Sequence, residues 1–286
     1  MTAANERETP DGIPSGVQLT ALDPDFREDP HPVLAQLRER QPSHYDELIR
    51  RWVLTRNEDI EAVLRDRSMG VDGRKAIPGT YMHLFAAADG HEPSMLFQDP
   101  PQHTRTRALV SKAFTPRAVE ALAPRIRQIA AELLDAVEGQ ERWDLIAAYA
   151  GPLPVIVIAE MLGVDPADRL DFKRWSDIGV MSFNPLITPE QRRQVEEAGM
   201  ELDAYLRRAI AERREHPRDD LMSALIAVEE DGQHLTDDEI RSMCGLLLAA
   251  GNVTTTDLIG NGVYTLLHHR GEWDRLCGVP SLMKNA

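Results

Sequence analysis

Cysteine is scarce in this chain of 286 residues: Cys244 and Cys277 are the whole complement. Two thiols so far apart make no disulfide framework and have none of the spacing that zinc or iron–sulfur sites need, so they are expected to be free thiols in a reducing compartment. Positive charge is also in short supply. The 32 Lys and Arg face 47 Asp and Glu, a formal charge of −15, which repels phosphate backbones and anionic headgroups at long range and argues against nucleic acid and membrane surfaces as partners. Met1 to Gly16 contains no apolar core segment, which excludes a signal peptide or anchor there and makes the cytoplasm the expected location. The uncharged stretch from Leu145 to Ala159 is too short to span a bilayer and carries Pro152 and Pro154, so it reads as buried core. A Gly-rich nucleotide loop, a nucleophile elbow and a His-Glu-x-x-His zinc motif are all missing.

What the chain does have is hydrophobic content, 42%, enough to bury a sizeable core. Asp29-Pro30 reads as an N-cap and first-turn proline opening a helix through about Arg40. Ser43 to Thr55 reads as a strand pair, with Asn57 capping a helix over 58–65; no other segment carries a convincing β signal. From 67 to 98 periodicity disappears among glycines and prolines, which predicts a long irregular connection. Asp99-Pro100 then caps a helix ending near Phe114, and Thr115-Pro116 opens another running to Gly139. Further helices are expected at about 154–162, 166–181, 189–215 and 219–229. Thr236 and Glu239 spell a capping box for a helix reaching His269. At about 1.5 Å per residue that helix is roughly 50 Å long, which makes it central.

Two segments carry candidate chemistry. His103 and Arg107 are four residues apart, so both leave one face near a positively polarised helix start and suit an anionic carboxylate; the plainer alternative is a solvated helix face. Ala250-Gly251-Asn252-Val253-Thr254-Thr255-Thr256 lies in the middle of the long helix, where a glycine costs about 1 kcal/mol and β-branched residues lose rotamer freedom. A local widening there opens the backbone at Gly251 to a ligand and leaves the Thr254 hydroxyl free to bond it or a water. Alternatively the threonines bond back to carbonyls one turn earlier and bend the helix.

Taken together, the runs Met95-Leu96, Asp99-Pro100-Pro101-Gln102-His103-Thr104-Arg105, Lys112-Ala113-Phe114-Thr115-Pro116-Arg117, Pro154 to Val164, Leu246 to Gly251 and Pro280-Ser281-Leu282 resemble, in that order, the bacterial soluble cytochrome P450 family. The resemblance covers nearly the whole chain. It implies a mainly α fold of the P450 type, incomplete, with a small N-terminal β hairpin. The expected organisation is one incomplete domain over 1–286, with a loose segment at 1–28, the hairpin at 43–55, an irregular lid loop at 67–98, a helical region at 99–229 and the long central helix at 237–269. It also implies haem as cofactor and a small apolar substrate oxidised with O2, a ferredoxin or flavodoxin supplying electrons. His103 and Arg107 match the family's propionate-holding positions on its C helix; Ala250 and Gly251 match its haem-facing groove, with Gly251, Asn252 and Thr254 as catalytic candidates on its I helix.

Two departures stand out. Where the family carries Asp or Glu just before the first threonine, this chain has Val253; Asn252 beside it cannot titrate, and Asp257 lies on the next turn. By the resemblance the chain also stops, at Ala286, before the Glu-x-x-Arg helix and the cysteine loop, and neither Cys244 nor Cys277 sits in surroundings like that loop. No monooxygenase activity is therefore expected of the chain as written. The alternative class is a non-catalytic helical protein, derived from that family, that keeps a small-molecule pocket or an interaction surface.

Overall fold

Where each element begins is decided largely by Asp, Thr and Pro. The computed structural model describes residues 13–14, 16–20, 22–47, 50–78, 80, 82–85, 92–183 and 187–284, arranged in two compact units, 1–100 and 101–286. The remainder of the segments read as loose (1–28) and irregular (67–98) lies outside the described residues.

In the first unit a 3-10 turn, Gly16–Leu19, precedes helix α1, Pro24–Glu28. Asp23 caps α1 by accepting from the backbone amides of Asp25 and Phe26 at 3.0 Å. Helix α2, His31–Arg40, follows, with Asp29 accepting from the His31 amide at 3.0 Å. Strands β1, Ser43–Asp46, and β2, Arg51–Leu54, pair antiparallel with Ser43 opposite Leu54 and Asp46 opposite Arg51. Tyr45 and Trp52 meet edge to face across the ladder, 5.8 Å between centroids. Asp46 is buried and accepts the Gly16 amide at 2.9 Å, fastening the described part of the N-terminal segment to the hairpin. Helix α3, Asn57–Arg65, starts one residue earlier than expected: Asn57 is inside it, and the cap position, Arg56, gives no side-chain bond.

The expected irregular stretch contains short 3-10 turns at Gly73–Lys75, Met82–Phe85 and Met95–Phe97. Asp99 does not cap a helix. Its carboxylate accepts from the Val71 amide at 2.7 Å and from Lys75 Nζ at 2.8 Å, and these bonds hold it below the usual carboxylate range. An aspartate before proline can cap whatever loose amides lie nearest, and here the 67–75 loop offers them.

The second unit is helical apart from one short hairpin. Helix α4, Gln102–Ala113, begins at a cap position occupied by Pro101, and α5, Pro116–Asp135, is capped by Thr115 Oγ1 accepting from the Ala118 amide. Helix α5 stops four residues short of Gly139. A π-helical turn, Ile146–Ala150, leads into α6, Pro152–Met161, which starts two residues before its expected position. Helices α7, Arg169–Gly179, α8, Pro189–Glu215, and α9, Leu221–Ala227, follow. A hairpin of β3, Glu229–Glu230, and β4, Gln233–His234, had no signal in the sequence; two-residue strands are too short to show alternation. Helix α10, Asp237–His268, carries the full Thr236/Glu239 capping box, and α11, Arg270–Gly278, ends the helical series before a 3-10 turn at Pro280–Lys284. Among the described residues α10 is the helix long and apolar enough to cross a bilayer by length and composition. It packs against α6, α7, α8 and α9, with Ile240, Cys244 and Leu248 fully buried.

One buried ion pair ties three of these helices. Arg213 Nε of α8 donates to Asp220 Oδ2 at 3.1 Å, with the two side chains 4% and 3% exposed. Asp220 also caps α9 through the Ser223 amide, 2.7 Å away, while the Arg213 guanidinium donates to the Gly163 carbonyl just beyond α6. Gly163 adopts φ +71°, and a Cβ there would lie 2.1 Å from Asp220 Oδ2, so only glycine fits both the left-handed turn and the close carboxylate.

Removing Asp220 takes away the buried partner of Arg213, leaving the guanidinium with the half-exposed Glu212 carboxylate at 3.3 Å and the Gly163 carbonyl. Asp220→Ala is expected to cost about 3–5 kcal/mol in urea denaturation; a cost below about 1 kcal/mol would show that the pair is not what joins these helices. Burial pushes the Cys244 thiol up to about 12, with the Asp220 carboxylate adding to the effect, whereas Cys277 is exposed. Titration with an aromatic disulfide at pH 8 should therefore modify one thiol per native chain and both in denaturant.

Candidate functional site

A helix turns 100° per residue, so side chains two positions apart leave opposite faces. Helix α4 uses this to separate its cations. Arg105 pairs with the buried Glu239 at the start of α10, which also receives Gln102 Nε2 at 3.3 Å. Lys112, on the same face as Arg105, reaches the Glu229 carbonyl at 3.2 Å and the Glu230 carboxylate at 3.4 Å. His103 and Arg107 flank Arg105 at two residues on either side and leave the other face, His103 half-buried and Arg107 exposed. No side-chain hydrogen bond or ion pair engages either of them among the described residues. Both side chains are thus unengaged among the described residues, while Arg105 and Lys112 tie the helix to α10 and the β3/β4 hairpin.

Helix α10 is two-faced in the same way. Ile240, Cys244, Leu248, Asn252, Thr256 and Gly260 follow one another every four residues, and the first four are buried. Ala250, Thr254 and Leu258 are offset by two and lie on the opposite, exposed face; Leu258 is 72% exposed. Only 22% of the most apolar stretch of this helix is buried, so it presents an apolar face outward.

The structure places the candidate residues of this helix in different roles. Thr254 and Ala250 share the exposed face, and the Thr254 hydroxyl donates to the Ala250 carbonyl, the back-bonding alternative. The expected widening is not found: α10 is continuous α-helix through the segment, and the π turn lies at Ile146–Ala150 instead. Gly251 has a packing reason. A Cβ there would lie 2.6 Å from Ile158 Cδ1 of α6, so the glycine lets α6 approach the middle of α10.

Asn252 points away from Thr254. It is 2% exposed, and its Nδ2 donates to Ser176 Oγ of α7 at 2.7 Å and lies 3.5 Å from Asp177 Oδ1. Ser176 in turn donates to the Leu248 carbonyl at 3.3 Å. Neither Ser176 nor Ile158 was marked by the sequence, because a serine in an amphipathic helix and an isoleucine in an apolar run are ordinary residues there. No hydrogen bond or ion pair among the described residues joins the His103/Arg107 pair to the Gly251–Thr254 segment.

A groove of about 440 Å3 lies elsewhere in this unit, between Phe114, Ile126, Val157, Met161 and Leu221, with the Arg125–Glu160 ion pair at its edge. None of the candidate residues lines it. Among the described residues no group of three His, Cys, Asp or Glu is clustered as metal ligands are. Cys244 is fully buried in the α10 packing, where burial raises its thiol pKa, and Cys277 lies exposed on α11.

Comparison with known proteins follows the same lines. The sequence model of the cytochrome P450 family matches residues 170–276. Cytochrome P450 CYP107DY1 of Priestia megaterium is 40% identical over 245 residues, 82% of this chain and 59% of that protein. The polyketide biosynthesis cytochrome P450 PksS of Bacillus subtilis is 36% identical over 92% of this chain and 66% of its own length. Among solved structures, P450BioI bound to an acyl carrier protein carrying hexadec-9Z-enoic acid superimposes with a TM-score of 0.81 at 30% identity, over 91% of this chain and 67% of that one. The chain thus spans about six-tenths of the length of the curated relatives named here. On fold, sequence and the order of its motifs, the chain belongs to the cytochrome P450 family.

Proposed function

We propose that this chain supplies the haem-facing helices of a haem-thiolate monooxygenase that oxidises a small apolar organic molecule with O2, taking electrons from a ferredoxin- or flavodoxin-type donor. The observation that carries this reading is the pair of unengaged side chains His103 and Arg107 on a helix whose other cations, Arg105 and Lys112, are both occupied. Two donors four residues apart suit two carboxylates, and the haem propionates are such a pair. Haem, when bound, supplies the activation of O2; the chain's own residues bind, orient and shield.

His103 and Arg107 would neutralise the propionates, which are otherwise costly to bury, through charge-assisted hydrogen bonds. The exposed Ala250–Thr254 face would lie against the ring. There Ala250 would keep side-chain bulk off the helix surface, while Gly251 lets α6 pack behind it. Thr254 has one proton, spent on the Ala250 carbonyl, and an oxygen that still accepts. In this state Thr254 holds a proton donor, such as a water, at its Oγ1 rather than giving up its own proton. Val253 cannot titrate, and Asn252 faces α7, so proton delivery depends on water at Thr254 and not on a neighbouring carboxylate. The apolar outer face of α10 favours an apolar substrate.

Haem titration of the purified chain, followed in the Soret band, tests this reading. Replacing His103 or Arg107 by Ala should weaken haem binding by roughly tenfold or more each, the loss of one charge-assisted hydrogen bond. Lys112→Ala should leave it unchanged. Equal affinities across the parent chain and all three variants would sink the assignment, whereas a parent chain that binds no haem would be the inactive fragment expected without the cysteine loop. The carbon monoxide complex of the reduced chain is expected to lack the red-shifted thiolate band; its appearance would mean that Cys244 or Cys277 binds the iron.

A further inference from the structure

The polar groups at the seam between α7 and α10 gather around Asn252, whose Nδ2 faces Ser176 Oγ at 2.7 Å and, at 3.5 Å, the Asp177 carboxylate. Phe172, Trp175 and Leu248 are buried there, and among them Asn252 and Ser176 are each 2% exposed. Their bonding is reciprocal. Asn252 Nδ2 of α10 donates to Ser176 Oγ of α7, and the Ser176 hydroxyl donates back to the Leu248 carbonyl of α10, one turn before Asn252. The other end of the amide continues the file: Thr256 Oγ1 donates to the Ala150 carbonyl of the π turn at 3.1 Å and lies 3.5 Å from Asn252 Oδ1. Two helices therefore meet on this buried amide, and the π turn is tied to α10 one turn further on, through Thr256.

Helix α7 is also locked to α8. Trp175 Nε1 donates to Glu201 Oε2 at 2.8 Å, and the rings of Phe172, Trp175 and Tyr205 lie 5.6 to 5.9 Å apart in pairs. The Ser176–Asn252 bonds are the hydrogen-bonded link from α7 to the middle of α10, while α8 is ion-paired to the first turns of α10 through Arg214–Asp237 and Arg241–Asp203. An apolar pair of similar size at these two positions would fill the seam without any desolvation cost. What the polar pair adds is register, because its bonds close only when Ser176 stands opposite the turn from Leu248 to Asn252.

We propose that Ser176 and Asn252 are positioning residues, a latch that couples displacement of α7 to the turn of α10 carrying Gly251 and Thr254. Asn252 adjoins Gly251 and is two residues from Thr254, so it sets how that turn is presented on the opposite face. The functional side of this inference rests on the haem reading above; the latch itself rests on the bonds alone.

The test is amide hydrogen exchange by mass spectrometry on the 286-residue chain, following peptides that cover 172–180 and 248–256. Without haem, Ser176→Ala should speed exchange about fivefold or more in both segments together, the effect of losing a buried bond, and Ser176→Thr, which keeps the hydroxyl, should restore it. A rise confined to 172–180, or no rescue by threonine, overturns the latch. With haem, the parent chain should gain protection in both segments. The Ser176→Ala/Asn252→Leu double variant, whose seam is refilled by apolar groups, should gain it in 248–256 only. Equal protection of 172–180 in the double variant overturns the coupling. If haem protects neither segment in the parent, it is the haem reading that fails, and the haem-free comparison decides the latch.

Discussion

The four-residue ladder along α10 is the constraint on which the rest of the second unit depends. Ile240, Cys244 and Leu248 are committed to the core, and the row winds about 40° further round the helix at each four-residue step, so that Asn252 reaches α7 and Thr256 the π turn while Ala250, Thr254 and Leu258 stay exposed. Nothing in the Gly-Asn-Val-Thr segment can choose its own face. The capping box at Thr236 and the Arg105–Glu239 pair set where this row begins, and Gly251 and Gly260 set how close α6 and the π turn come, since Ile158 and Ile146 occupy the space their Cβ atoms would need.

That geometry explains which parts of the molecule were legible. Thr115-Pro116 and the Thr236/Glu239 box predicted their helices because cap chemistry is local: a side-chain oxygen finds its own amides two or three residues on. Asp99 misled for the converse reason, since its amide partners lie at Val71 and its cation at Lys75, more than twenty residues earlier. The β3/β4 hairpin is too short for a period. The i, i+4 pair His103/Arg107 could be read directly, but what sets it apart from its neighbours could not: Arg105 and Lys112 are taken up by Glu239, Glu229 and Glu230, which are distant in sequence.

Glycine and asparagine in the middle of α10 show how one sequence signal admits two physical causes. A glycine in a helix interior costs stability, so something must compensate, and from sequence a ligand approaching the backbone is as good a candidate as a helix. The structure supplies the helix: Ile158 of α6 lies against Gly251. Asn252 is similar. It stands beside the position where relatives were expected to carry an acid, yet its amide donates to Ser176 of α7 and lies 3.5 Å from the Asp177 carboxylate.

The three successive threonines resolve in three ways, and this bears on how the outer face of α10 can act. Thr254 satisfies a carbonyl of its own helix, Thr256 reaches across to Ala150, and Thr255 is half-buried with no side-chain bond among the described residues. Thr254 thus bonds within the helix on its exposed face at Ala250, Thr256 ties the opposite face to the π turn, and Asn252 is held by Ser176 between them. A site that relies on Thr254 Oγ1 as an acceptor needs that oxygen held at one place, and the back-bond together with the anchored seam holds it there without any charged group on the helix.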